Sequence, residues 1–157
     1  MLWRIELFGG LRAYSGDHAI TRFQTYKTGA LLAYLAYFRG RNHPREELIN
    51  ILWPDVDPTA ARNRLSQALV WLRPRLEPSQ ADRNSVLCTD RHHIGLHQEA
   101  VQTDSAQLEI AIQSLSGASP HDQINGLRSA IDPYRNELLT GFYEDWIFPE
   151  RQRFARL

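Results

Sequence analysis

Trp3 to Phe8 alternate, with Trp3, Ile5 and Leu7 on one side and Arg4, Glu6 and Phe8 on the other. That period of two is the mark of a half-buried strand. Gly9-Gly10 interrupts the pattern, Leu11 to Tyr14 resumes it, and Ser15-Gly16-Asp17 turns the chain into a short strand from His18 to Thr21. From Gln24 the period changes. Leu31, Leu32, Leu35 and Phe38, with Tyr34 and Tyr37 alongside, predict a helix over Gln24–Arg39, capped by Thr25 or Thr28 and ended by Gly40. Pro44 begins a shorter helix with Glu46 and Glu47 in its first turn, Leu48, Ile51 and Leu52 on its apolar face, and Trp53-Pro54 at its close.

The next stretch, Asp57 to Glu77, organises the rest. Asp57 suits a helix N-cap and Pro58 the first helical position, where a missing N–H costs nothing. Leu65, Leu69, Leu72 and Leu76 form one seam. At ~100° per residue the opposite side carries Ala60, Asn63, Gln67 and Val70. Arg64 and Ser66 lie on its shoulders, with Arg62 and Arg73 nearer the seam. Pro74 removes a helical hydrogen bond to Val70, so a kink or an early end near Arg73 is expected. Glu77 to Asn84 is a polar loop, and Val86–Thr89 and His93–His97 read as two strands joined by Thr89-Asp90-Arg91-His92.

The remainder is helical in pattern. Thr103-Asp104 opens a helix with Leu108, Ala111, Ile112 and Leu115 on one face, and Ser116 to His121 is a loop. Gln123 to Arg135 is a second helix with Ile124, Leu127 and Ile131, limited by Pro133. An apolar stretch from Leu138 to Phe142 precedes a helix from Pro149 that carries no stop signal, as in a truncated chain. Strand-like alternation is confined to residues before Gln24 and after Ser85. The expected architecture is α+β: a small antiparallel sheet, three helices and a hairpin wing, then a helical tail.

Helix, short helix, tight connection and long helix is the helix-turn-helix order, in which the last helix reads bases. A face of small residues and amides framed by arginines fits a major groove: Asn63 and Gln67 can each pair with an adenine edge, and Arg takes guanine or phosphate. Lys27 near the start of the first long helix and Arg91 at the hairpin tip are positioned for phosphate or the minor groove. Taken singly, the long helix and Lys27 suit a solvated surface better than DNA, and the hairpin suits either; their order along the chain points to DNA.

Charge sharpens the division. Met1 to His97 holds thirteen bases and nine acids, net +4, whereas Gln98 onward holds five bases and nine acids, net −4. A basic front suits a polyanion, and an acidic back suits another partner. The 157 residues allow one domain or a small domain with an appendage. Nothing resembles a membrane span or signal peptide, and the single cysteine, Cys88, suits a reducing cytosol.

Enzyme and metal chemistry find little support. His92, His93 and His97 cluster, but on a strand His93 and His97 stand about 13 Å apart at ~3.3 Å per residue, too far for one ion. Cys88 has no evident partner base, and no phosphate-cradling glycine loop or nucleophile elbow is present. No metal or cofactor is expected. The alternative to DNA binding is a winged helix that serves as a protein-docking module.

Several residues carry a family resemblance. They are Gly29-Ala30-Leu31-Leu32-Ala33-Tyr34-Leu35-Ala36, Arg45 and Leu48, Leu52-Trp53-Pro54-Asp55, and Ala61-Arg62 with Leu65, Leu69, Leu72-Arg73 and Leu76. With Val101-Gln102-Thr103-Asp104, Leu138-Leu139-Thr140-Gly141, Trp146 and Arg151, the chain resembles the Streptomyces antibiotic regulatory protein (SARP) type of activator. Pro74 departs from the pattern. The resemblance implies an OmpR-type winged helix over 1–98, followed over 99–157 by the start of a tetratricopeptide-like bacterial transcriptional activation domain. It also implies a cytoplasmic bacterial activator that binds double-stranded promoter repeats beside RNA polymerase, with self-association on those repeats. Lys27, Arg62, Arg64 and the wing are carried over as DNA contacts, and Arg45 joins them. With Asn63, Ser66, Gln67 and Arg91, these are the candidate DNA-binding residues.

Overall fold

The computed structural model describes residues 2–117, 119–131 and 137–156. Trp3, Ile5 and Leu7 are fully buried, as their alternation requires, and they place strand β1 (Trp3–Glu6) at the centre of the first sheet. β1 pairs antiparallel with β2 (Arg12–Ser15), and β2 pairs antiparallel with β3 (His18–Ile20). On its other edge β1 pairs in parallel with β7 (Val101–Thr103), in the order β3-β2-β1-β7. No strand is expected at 101–103 from sequence. Three residues give no visible alternation, and the partner lies almost a hundred residues away.

Helix α1 (Tyr26–Tyr37) is the central rod. Thr25 caps it, its hydroxyl accepting the Thr28 amide at 3.1 Å, and every residue from Thr28 to Ala36 is buried. Gly40 follows with φ +84°, a left-handed conformation that lets the chain turn away. α2 (Arg45–Leu52) buries Leu48, Ile49 and Leu52, and α3 (Pro58–Leu76) buries Ala61, Leu65, Ala68, Leu72 and Leu76. Among the described residues there are six α-helices.

The expected early end near Arg73 does not occur. α3 runs through Pro74 to Leu76 because the proline sits in the last turn, where a single ladder bond is lost. That turn is anchored from elsewhere. Leu76 is fully buried and its carbonyl accepts the Trp3 indole N–H at 2.9 Å, while the Glu77 amide donates to Arg73 O at 2.8 Å.

The second sheet has the order β4-β6-β5. β5 (Leu87–Thr89) and β6 (His93–Leu96) form the expected hairpin. β4 (His43–Pro44) adds a two-residue strand where none is expected. Gly95 makes that close approach feasible: a Cβ there would lie 2.5 Å from the Arg41 carbonyl oxygen.

The tail holds α4 (Asp104–Gln113), α5 (Pro120–Ile131) and α6 (Ile147–Ala155). Pro133, expected to limit α5, lies outside the described residues. Thr103 caps α4 by accepting the Ala106 amide at 3.2 Å. The chain then returns to the first sheet. The Leu139 amide donates to Leu7 O at 2.6 Å and the Gly9 amide to Glu137 O at 2.9 Å. Arg151 holds this return in place, donating to the carbonyls of Leu138, Leu139 and Phe142 at 2.6–2.7 Å. Trp146 then packs edge-on and tilted against Tyr34, Tyr37 and Phe38 with ring centroids 5.3–5.5 Å apart. β7 and this return both hydrogen-bond to β1 or its extension, so residues on the two sides of position 98 share one sheet.

Candidate nucleic-acid interface

The site is built on the uncovered side of α3. With Leu65, Leu72 and Leu76 directed into the core, Arg62, Asn63, Arg64, Ser66, Gln67 and Val70 are all exposed. Ala60 is half-buried. Two hollows flank this line. One, of about 500 Å³, lies between α2, α3 and the hairpin and is bordered by Arg45, Arg62, Ser66 and Arg91. The other, of about 300 Å³, lies towards the start of α1 and is bordered by Lys27, Arg64 and Gln67. All the candidate residues but Asn63 therefore border one or the other.

Their chemical states differ. Arg64 and Arg91 are exposed and make no ion pair among the described residues, so their charges are free for an incoming anion. Arg62 donates to Glu46 at 2.9 Å, with both side chains more than half exposed, a contact that water and salt weaken. Arg45 is engaged structurally: Nε and Nη2 donate to the Asp90 carbonyl at 3.1 and 2.8 Å, and its backbone amide donates to His92 O at 2.8 Å. It ties the hairpin tip to α2. Within the tip, Asp90 Oδ1 accepts the amides of His92 and His93 at 2.8 and 2.7 Å. Those two bonds hold the Asp90 pKa below the ordinary aspartate value. Arg91 thus projects from a turn that is fixed from both sides.

Lys27 is half-buried, and its ammonium meets Glu144 Oε2 at 3.1 Å. The other oxygen of Glu144 accepts the Tyr26 hydroxyl at 2.7 Å. Burial, and then this bond to Glu144, push the Tyr26 pKa up to about 12. Glu144 is not evident from sequence, since it lies 117 residues from Lys27 with no local pattern to mark it.

The base of the hairpin is set by a second pair missed from sequence. Glu77 is buried; its Oε2 accepts the amides of Val86 and Leu87 at 3.1 and 2.9 Å, and its Oε1 accepts Arg73 at 2.7 Å. Arg73 continues to Asn84 Oδ1 at 3.0 Å and Thr89 Oγ1 at 2.7 Å. The i,i+4 spacing of Arg73 and Glu77 was the available clue. His97 Nε2 lies 2.9 Å from Asn84 O, and His93 Nδ1 lies 3.5 Å from Asp90. Among the described residues no group of three or more His, Cys, Asp or Glu side chains is placed to hold a metal ion, and no helix is long and apolar enough to cross a membrane.

No family model matches the chain, and no curated protein matches its sequence. Among solved structures, Mycobacterium tuberculosis EmbR, determined in complex with a low-affinity phosphopeptide, superposes with a TM-score of 0.78 at 20% identity. The match covers 98% of this chain and 42% of the EmbR chain, so the present chain spans less than half of that protein's length. The likeness extends over both sheets and the helical tail, and at this identity it speaks to architecture alone. The fold is that of the matched part of the EmbR chain.

Proposed function

We propose that the chain is a sequence-specific DNA-binding transcription regulator rather than an enzyme, with α3 in the major groove and the β5–β6 hairpin as its wing. The observation that carries this reading is the exposed line of Asn63, Ser66 and Gln67, with the free guanidinium groups of Arg64 and Arg91 to either side. Amides in such a line can pair with adenine edges, and the arginines supply phosphate or guanine contacts. In this reading residues 1–98 bind promoter DNA and residues 99–157 begin a tetratricopeptide-like activation segment. That segment contacts RNA polymerase and supports self-association on repeated sites in a bacterial cytoplasm.

Selection of bound duplexes from a random pool, followed by isotherms at several salt concentrations, tests it. Affinity should fall steeply with salt as counterions are released. Asn63→Ala or Gln67→Ala should cost about 1–3 kcal/mol on the selected site and relax preference at one position. Arg91→Ala should weaken all sequences alike and lower the salt slope by about one. A pool that enriches nothing, or binding that ignores salt, would replace this reading with a protein-docking module.

Glu144 adds a separate expectation. Lys27 borders the same hollow as Arg64 and Gln67, but Glu144 neutralises it. Glu144→Gln should therefore tighten binding to every duplex and steepen the salt slope by about one. The added substitution Lys27→Ala should cancel that gain. An unchanged slope in Glu144→Gln would show that Lys27 does not reach phosphate even when released.

A further inference from the structure

Val70 is the most exposed large apolar side chain among the described residues, at 74%. It stands on α3 in line with Asn63 and Gln67, at positions i, i+4 and i+7, and no described residue covers it. A β-branched residue is a modest helix former, so an exposed valine in mid-helix is explained neither by helix propensity nor by the core. Its surroundings are mixed. On one side lie Gln24, Gln67, Arg75 and the Trp71 ring, and on the other Arg73, Arg83, Pro74 and Glu77. The Arg75 guanidinium lies 3.8 Å over the Trp71 ring, so the neighbouring aromatic face is already occupied.

A single valine is far too small for a stable protein interface, which needs ~800 Å² from each partner. It matches the one apolar group that base edges present in a major groove, the C5-methyl of thymine. The spacing agrees: Asn63 to Val70 spans about 10 Å at ~1.5 Å per residue, or roughly three steps of a duplex at ~3.4 Å each. We propose that Val70 is a specificity-determining residue that packs against a thymine methyl, within about three base pairs of the base read by Asn63. This rests on the reading of α3 as the DNA-recognition helix.

The test removes one methyl group. Within a duplex selected by the whole chain, each thymine is replaced in turn by deoxyuridine, which keeps pairing and loses only the C5-methyl. One position should weaken wild-type binding about fourfold, the equivalent of ~0.8 kcal/mol for one buried methylene-sized group. Val70→Ala should bind the thymine duplex about fourfold more weakly and be indifferent to deoxyuridine at that position. Because Val70 is exposed, this variant keeps the fold, checked by an unchanged unfolding midpoint. A flat deoxyuridine scan overturns the role of Val70 and leaves the DNA reading standing, as does a penalty that survives Val70→Ala in full. A free chain that dimerises through α3 and ceases to do so in Val70→Ala would assign the side chain to self-association instead. Failure of the pool to enrich any duplex overturns both readings.

Discussion

Asp104→Ala is expected to lower stability by about 4 kcal/mol. Asp104 is 3% exposed and its two oxygens accept three amides: Leu7 and Ser105 at 2.8 Å on Oδ1, and Phe8 at 3.1 Å on Oδ2. Each buried donor left without a partner costs ~1–3 kcal/mol. The amides of Leu7 and Phe8 lie just beyond the end of β1, outside its ladders with β2 and β7. Alanine at this position would therefore loosen the joint between the first sheet and α4. Urea unfolding should show a lower midpoint with a slope close to that of the parent. The pH dependence has a definite sign. Burial raises the Asp104 pKa, outweighing the three amides that lower it. A carboxyl with a raised folded-state pKa contributes stability that is full below the ordinary aspartate value and is lost as pH rises through its folded pKa. Comparing the parent with Asp104→Asn between pH 3 and 7 isolates that trend; a parent curve that rises in parallel with the variant's would contradict it.

The same residue shows what the chain's pattern reveals and what it hides. Thr103-Asp104 is readable as a helix start, because cap chemistry is local. That Asp104 also closes the end of β1 is not readable, since its partners lie almost a hundred residues earlier. The helix-turn-helix and the wing follow from periodicity and caps, and the uncovered side of α3 falls where a 3.6-residue wheel puts it. β4 and β7 are too short for any period to show. Pro74 misleads because its cost is local while its compensation, the burial of Leu76 and the bond from Trp3, is tertiary. Within the site the sequence supplies the inventory of charges but not their partners. Arg45 braces the hairpin, Lys27 is paired with the tail, and Arg64 and Arg91 remain free, distinctions that only three-dimensional placement makes.

Those placements make Glu77→Ala the second large effect, expected at about 3 kcal/mol. Glu77 joins the last turn of α3 to the first residues of the wing through the Val86 and Leu87 amides, and Arg73 braces the same corner against Asn84 and Thr89. Removing the carboxylate strands two backbone donors and leaves a largely buried guanidinium short of its counter-charge. Burial works to raise the Glu77 pKa, but the amides of Leu87, Val86 and Asn84 and then the charge of Arg73 prevail, so it lies below the ordinary glutamate value. The linkage is thus opposite to that of Asp104: its stability is present above the ordinary glutamate value and lost as pH falls through the folded pKa. Glu77→Gln should keep the shape and flatten that acid limb. The consequence for DNA is separable from stability. If Glu77 sets the angle between α3 and the wing, then in Glu77→Ala, measured where the chain is still folded, the further change Arg91→Ala should cost nothing, although under the proposed reading it should weaken the parent. Readout by Asn63 and Gln67 should survive, because α3 itself keeps its seam. If Arg91→Ala weakens Glu77→Ala as much as it weakens the parent, the wing is held by its own hairpin and by Arg45, and Glu77 serves stability alone.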